Sequence, residues 1–133
     1  MIKIRFNQRI ALKDFLKLYR QASFEQGKLN DSPKRLQSML DHTQLMVTVW
    51  DDKNLVGLAR CLTDYESSCY LSELVISTNY RGRGLGKRLL MALHAYLGGR
   101  VSIILRAAPK AVGFYQALGY QEIANLVRLY RED

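Results

Sequence analysis

Leu74-Val75-Ile76-Ser77-Thr78-Asn79-Tyr80-Arg81-Gly82-Arg83-Gly84-Leu85-Gly86-Lys87-Arg88-Leu89-Leu90 is an apolar run that passes through a glycine- and arginine-rich turn into helical periodicity. The order predicts a buried strand, a tight turn and a helix. Glycine lets the chain turn sharply and approach a ligand closely, and the first amides of the helix have no acceptor within it. Those amides, the positive end of the helix dipole, and Arg81, Arg83, Lys87 and Arg88 together favour a phosphate group.

Spacing narrows the ligand. A Walker loop needs glycine where Arg81 stands, and Ser or Thr where Arg88 follows Lys87. The dinucleotide pattern G-x-G-x-x-G also fails: Gly82 and Gly84 meet Lys87 at the third glycine, and Gly84 and Gly86 meet Leu89. What remains is R-x-x-G-x-G on Arg81, Gly84 and Gly86, which resembles the pyrophosphate-binding motif of the GCN5-related N-acetyltransferase (GNAT) superfamily.

Outward from that turn, the chain of 133 residues is long enough for one domain, residues 1–133, with a continuous core. Hydrophobic content of 48% and 2 Pro exclude long disordered tracts. A net charge of +8 suits an anionic partner without choosing among nucleotide, nucleic acid and acidic protein. No apolar run approaches the roughly 20 residues that span a bilayer, so no membrane partner is expected. Met1 to Phe6 alternates charge with apolar residues, unlike a signal peptide. Cys61 and Cys69 lie in strand-like runs without metal-type spacing; as free thiols they fit a reducing cytoplasm.

Upstream, Ile2, Ile4 and Phe6 alternate with Lys3 and Arg5 as in a strand with one buried face. Leu12, Phe15, Leu16 and Tyr19 then recur at helical spacing. Ser23 to Asp31 reads as a polar loop. Ser32-Pro33 caps a second helix with Leu36, Met39 and Leu40 on its apolar stripe, ending near His42. Leu45–Trp50 and Leu55–Leu62 make a hairpin around Asp51-Asp52-Lys53-Asn54, and Cys69–Ile76 is a third strand leading into the glycine turn.

Downstream, Leu85, Leu89, Leu93, Tyr96 and Leu97 share one helix face, with His94 on the polar side, and Gly98-Gly99 ends the helix. Val101–Leu105 closes a β-α-β unit whose strands should be parallel. Ala108-Pro109 opens a last helix stopped by Gly119, and Tyr120–Ile123 and Leu126–Tyr130 read as two final strands around Ala124-Asn125. The expected fold is α/β, a mixed central sheet flanked by helices in the order β-α-α-β-β-β-α-β-α-β-β, the element order that the GNAT superfamily shows.

The second motif is Ala111-Val112-Gly113-Phe114-Tyr115-Gln116-Ala117-Leu118-Gly119-Tyr120, which resembles the family's A-x-x-F-Y-x-x-L-G-[FY] segment. Phe114 and Leu118 are spaced as helix-core residues. The resemblance implies an acetyl-CoA-dependent N-acetyltransferase, with a coenzyme site formed by Leu74, Val75, Ile76 and Arg81, Gly82, Arg83, Gly84, Leu85, Gly86, Lys87 and Arg88. In it, the backbone amides of Leu74 to Ile76 meet the pantetheine and the thioester, and the Tyr115 hydroxyl faces the sulfur. The resemblance also places Glu73 beside the acceptor; the residues alone leave it either a base or a carboxylate paired with Arg60. Transfer is expected to a small-molecule or peptide amine by direct attack in a ternary complex, without a metal, since no His, Cys or carboxylate cluster has ligand spacing. Where the family often carries an asparagine, this chain has Ala108. A coenzyme-binding sensor without catalysis remains an alternative. A nucleic-acid module fits less well because basic residues are spread along the chain and not gathered on one element. A homodimer paired through the last strands stays open.

Overall fold

A computed structural model describes residues 1–22 and 32–131. Its elements run β1 (Ile2–Phe6), α1 (Leu12–Gln21), α2 (Pro33–Asp41), β2 (Leu45–Asp51), β3 (Asn54–Thr63), β4 (Ser68–Ile76), a 3-10 turn at Thr78–Tyr80, α3 (Leu85–Leu97), β5 (Ser102–Leu105), a second 3-10 turn at Pro109–Ala111, and α4 (Val112–Ala117). The loop expected at Ser23 to Asp31 lies outside the described residues.

The five strands form one sheet in chain order. The first three pairings are antiparallel and β4–β5 is parallel. The parallel pair follows from α3, whose length carries the chain back along the sheet before β5 begins. Side chains of β2 are buried on both faces, which is why its sequence is nearly all apolar. On one face Leu45, Val47 and Val49 pack with Leu85, Leu89, Leu90 and Leu93 of α3. On the other, Met46 and Trp50 join Phe15, Leu18 and Tyr19 of α1 and Leu36 and Leu40 of α2. At the α2 N-cap, Ser32 Oγ accepts the Arg35 amide at 3.1 Å.

A bulge in β4 decides what each face receives. Arg60 of β3 stands opposite Glu73, but the next residue, Cys61, stands opposite Leu71, so Ser72 is an inserted residue. The insertion exchanges the faces of the strand. Cys69 and Leu71 enter the α3-side core, and beyond the bulge Leu74 and Ile76 pack against that same core. Val75 joins the α1 side, and Glu73 turns the same way to meet Tyr19. Simple alternation from Cys69 would have sent Glu73 and Val75 to the α3 face.

Four sequence expectations require correction, the first being Phe114, spaced as a helix-core residue but exposed on α4. Tyr120–Ile123 and Leu126–Tyr130 form no strand, although a turn does occur at Ala124-Asn125. The Tyr120 amide donates to Tyr115 O at 3.1 Å and its hydroxyl shares a 2.7 Å hydrogen bond with His94 Nε2, which ties the chain to α4 and α3 as it leaves the last helix. Val127, Leu129 and Tyr130 stay exposed, with no layer among the described residues to cover them. Tyr96 does not face the core: it is exposed and stacks on Phe6 at 4.7 Å between ring centroids. His94 is half-buried, and burial pulls its pKa below the usual histidine value.

Candidate active site

The turn after β4 has the shape its composition implies. Gly82 (φ +77°) and Gly84 (φ +74°) take left-handed conformations, and Gly84 is the N-cap of α3. A Cβ on either glycine would meet nothing within 4 Å, so backbone conformation and not packing demands glycine there. The first ladder bond of α3 runs from Arg88 N to Gly84 O at 3.0 Å. The amides of Leu85, Gly86 and Lys87 therefore have no acceptor within the helix and point outward at its positive end.

The four cations of the turn divide by role. Arg81 Nη2 donates to Ala22 O at 2.7 Å and ties the turn to the C-terminus of α1. Tyr80 donates to Asp51 Oδ2 at 2.5 Å, and the Arg83 guanidinium lies 4.8 Å from the Tyr80 ring centroid. Lys87 and Arg88 are exposed on the first turn of α3. Arg81 and Tyr80 thus hold the turn in place, while Lys87 and Arg88 stand beside its free amides.

β4 and β5 separate where the site needs space. Their last pair is Leu71 with Leu105, at the bulge, and β4 continues for five more residues without a neighbour on that side. Ser77 N donates to Val56 O at 2.9 Å. Alternation along the antiparallel ladder then turns the Val75 amide toward β3 and leaves those of Leu74 and Ile76 facing the open side.

Glu73 is 3% exposed. Arg60 meets it with two charge-assisted hydrogen bonds, Nε to Oε1 and Nη2 to Oε2, both at 2.8 Å. The Tyr19 hydroxyl donates to Oε1 at 2.6 Å, and Ser72 Oγ also donates to Oε2. Burial raises the carboxyl pKa, but the Arg60 bonds and charge outweigh it, aided by Ser72 and Tyr19, and hold it at about 2. Arg60 bonds in addition to Ser72 Oγ at 3.0 Å and Thr43 Oγ1 at 3.2 Å.

Tyr115 sits on α4 among aromatic neighbours, with Phe114 at 5.2 Å and Tyr120 at 5.5 Å, both edge-on. Burial raises its phenol pKa. It lines a cavity of about 480 Å³ together with Leu105, the residue that ends β5 opposite Leu71. Phe114 connects this end to the glycine turn: a Cβ on Gly86 would lie 3.5 Å from its ring. At Ala108 the backbone does the local work, its carbonyl accepting the Ala111 amide at 2.8 Å. Cys61 and Cys69 are buried free thiols, and the Cys69 contact and burial push the Cys61 pKa up. Among the described residues no group of three or more His, Cys, Asp or Glu could hold a metal, and no helix is long and apolar enough to cross a membrane.

Residues 16–128 match the family model described as acetyltransferase (GNAT) domain. The chain belongs to the GNAT acetyltransferase family. An uncharacterized N-acetyltransferase of Prochlorococcus marinus is 34% identical over 65% of this chain and 52% of its own length. Another, from Gracilaria tenuistipitata, is 26% identical over 90% of this chain and 66% of its own. This GNAT chain thus spans about half to two thirds of these two relatives. A Staphylococcus aureus protein of unknown function, described as a probable acetyltransferase, superposes with a TM-score of 0.83 over 100% of both chains at 17% identity, a likeness of fold.

The GNAT sequence motifs are local and the structure keeps each one together: the turn at 81–88 on one helix end, Leu74 and Ile76 on one strand edge, Tyr115 on the facing helix. Sequence reasoning named Arg60 as one partner for Glu73 but missed Tyr19 and Ser72. A buried tyrosine at helical spacing carries no mark of its partner, and Tyr19 lies 54 residues from Glu73.

Proposed function

We propose that residues 1–133 act as one acetyltransferase domain that transfers an acetyl group from acetyl-CoA to a primary amine by direct attack in a ternary complex. The observation that carries this reading is the open turn at Gly82 and Gly84, whose neighbouring α3 amides stand at the end of the strand edge freed by the separation of β4 from β5. A diphosphate fits those amides with Lys87 and Arg88 beside them, and the pantetheine arm follows the edge at Leu74 and Ile76.

In the reaction the amine nitrogen forms a bond to the acetyl carbon, the carbon–sulfur bond breaks, and the proton lost by nitrogen balances the one gained by sulfur. Leu74 N or Ile76 N would stabilise the carbonyl oxygen as it gains charge, a contribution typically of about 3 kcal/mol for one donor. Tyr115 is the proton donor to the sulfur. Burial raises its pKa, so the phenol is protonated at neutral pH; the same shift makes it a weaker acid, and its donation depends on its hydroxyl lying against the sulfur as the bond breaks.

For Glu73 the ion pair with Arg60 supports an anchoring role. A carboxylate held at about 2 is a weak acceptor for a proton from an ammonium group, so the nitrogen's proton leaves through water and Glu73 fixes the bulge that separates β4 from β5. The same pairing favours a second reading, a coenzyme-binding sensor without turnover. Thiol release from acetyl-CoA across a panel of primary amines separates the two: turnover supports the enzyme, and coenzyme binding without turnover on any amine supports the sensor.

A further inference from the structure

The Tyr115 ring is set by its neighbours, and the neighbour at one edge, Tyr120, lies outside any helix or strand. α4 is six residues long, too short to be fixed by its own hydrogen bonds, and the chain leaves it through Gly119 at φ +96°. Tyr120 lines two open cavities: the one of about 480 Å³ beside Tyr115, and another of about 410 Å³ formed with His94, Gly98, Gly99 and Leu118. With that space beside it, packing alone does not fix the ring. Two hydrogen bonds do. The Tyr120 amide donates to Tyr115 O at 3.1 Å and holds the backbone, while the bond of 2.7 Å between the Tyr120 hydroxyl and His94 Nε2 holds the far end of the side chain. Both side chains are neutral at pH 7, since burial lowers the His94 pKa and pushes that of Tyr120 up to about 12. The anchor is rigid: His94 follows Leu93 on α3, which is fully buried with Leu89 and Leu90.

Building on the acetyltransferase reading, we propose that His94 is a positioning residue for the transfer: by holding Tyr120 against Tyr115, it keeps the Tyr115 hydroxyl aimed at the sulfur. Phe114 at 5.2 Å and Tyr120 at 5.5 Å flank the Tyr115 ring, so a swing of Tyr120 toward Gly98 and Gly99 would free one side of it. Proton donation needs the phenol within hydrogen-bond reach of the atom it protonates, and a misplacement of about 1 Å can cost about 10²-fold in rate. His94 stands in the last turn of α3, at the other end of the helix from the amides proposed for the diphosphate. Its loss therefore acts on the rate and not on coenzyme binding.

The test is thiol release from acetyl-CoA with tyramine, spermidine, ethanolamine and L-lysine as amines, continued with whichever the wild-type chain uses fastest. His94→Leu and Tyr120→Phe are made separately, each checked for folding by circular dichroism, and each made again in a Tyr115→Phe background. Each single variant is expected to lower kcat about tenfold with the KM for acetyl-CoA unchanged, and neither is expected to lower kcat further once the Tyr115 hydroxyl is gone. A general structural loss would lower kcat by the same factor in both backgrounds, and that result overturns the inference. So does a wild-type kcat in Tyr120→Phe, which keeps the ring and remains informative if His94→Leu does not fold. Thiol release with none of the four amines, whether or not acetyl-CoA binds, overturns the underlying acetyltransferase reading and this inference with it.

Discussion

Glu73 and Tyr115 are the residues at which sequence and structure carry different information. The motif around Tyr115 is contiguous, so its place on the last helix with Phe114 could be read from spacing, whereas its contact with Tyr120, expected to begin a strand, could not. Whether Glu73 takes protons or binds a cation depends on what faces it, and that is set by Arg60 across the ladder, Tyr19 from α1 and the inserted Ser72. No local pattern records those partners. Replacing Glu73 with Gln leaves the Arg60 charge buried without compensation, and the expected loss is about 3–5 kcal/mol at neutral pH, measured by urea unfolding. The pH dependence has a definite sign. The folded carboxyl sits at about 2, below its ordinary 4.5, so its stabilisation is complete above 4.5 and is lost as pH falls toward 2. The gap between wild type and Glu73→Gln should therefore narrow across that window; a constant gap would show that the ion pair is not its source. Tyr115→Phe removes the proposed donor hydroxyl while keeping the ring. Turnover is expected to fall about 10²-fold, within the usual range for a lost general acid, with coenzyme affinity little changed. Equal turnover would remove Tyr115 from that role.

At the scale of elements, the β4-turn-α3 unit was legible because its determinants are local. Apolar β4, the glycines and the periodic leucines of α3 each specify their own conformation and follow one another closely, with one short 3-10 turn between the strand and the glycines. Gly84→Ala keeps the side chain small but forces a left-handed conformation, which costs roughly 1–2 kcal/mol. A thermal unfolding curve that does not move would show that the turn relaxes freely. The bulge was not legible, since an inserted residue leaves the apolar pattern of β4 nearly unaltered and only the register with β3 exposes it. The last segment failed in the opposite sense. Leu126 to Tyr130 has strand-like composition, but composition supplies no partner, and Val127 is 88% exposed. Removing residues 127–133 is accordingly expected to change stability by no more than about 0.5 kcal/mol. A loss of several kcal/mol would mean that this segment packs.

Over the whole molecule, the sheet divides two kinds of work. The α3 face holds the apolar core under the glycine turn, and the opposite face, under α1 and α2, holds the Glu73–Arg60 pair. Separation of β4 from β5 after Leu71 and Leu105 leaves the strand edge along which the proposed pantetheine arm would lie. The overall architecture was readable from the order of elements because a β-α-β crossover following an antiparallel meander admits few arrangements. The net charge of +8 suits an anionic partner, and the diphosphate proposed at the start of α3 is one.

The most direct measurement of the central claim is thermal unfolding of the wild-type chain and Gly84→Val with and without acetyl-CoA, after circular dichroism has shown that both are folded. At about 100 times the dissociation constant, a ligand that binds the native state alone adds about 2.7 kcal/mol, roughly a 10 °C rise for a chain of this size. Wild type is expected to show that rise and Gly84→Val to show none. A wild-type curve unmoved by saturating acetyl-CoA, or an equal rise in Gly84→Val, would contradict a diphosphate site at the start of α3.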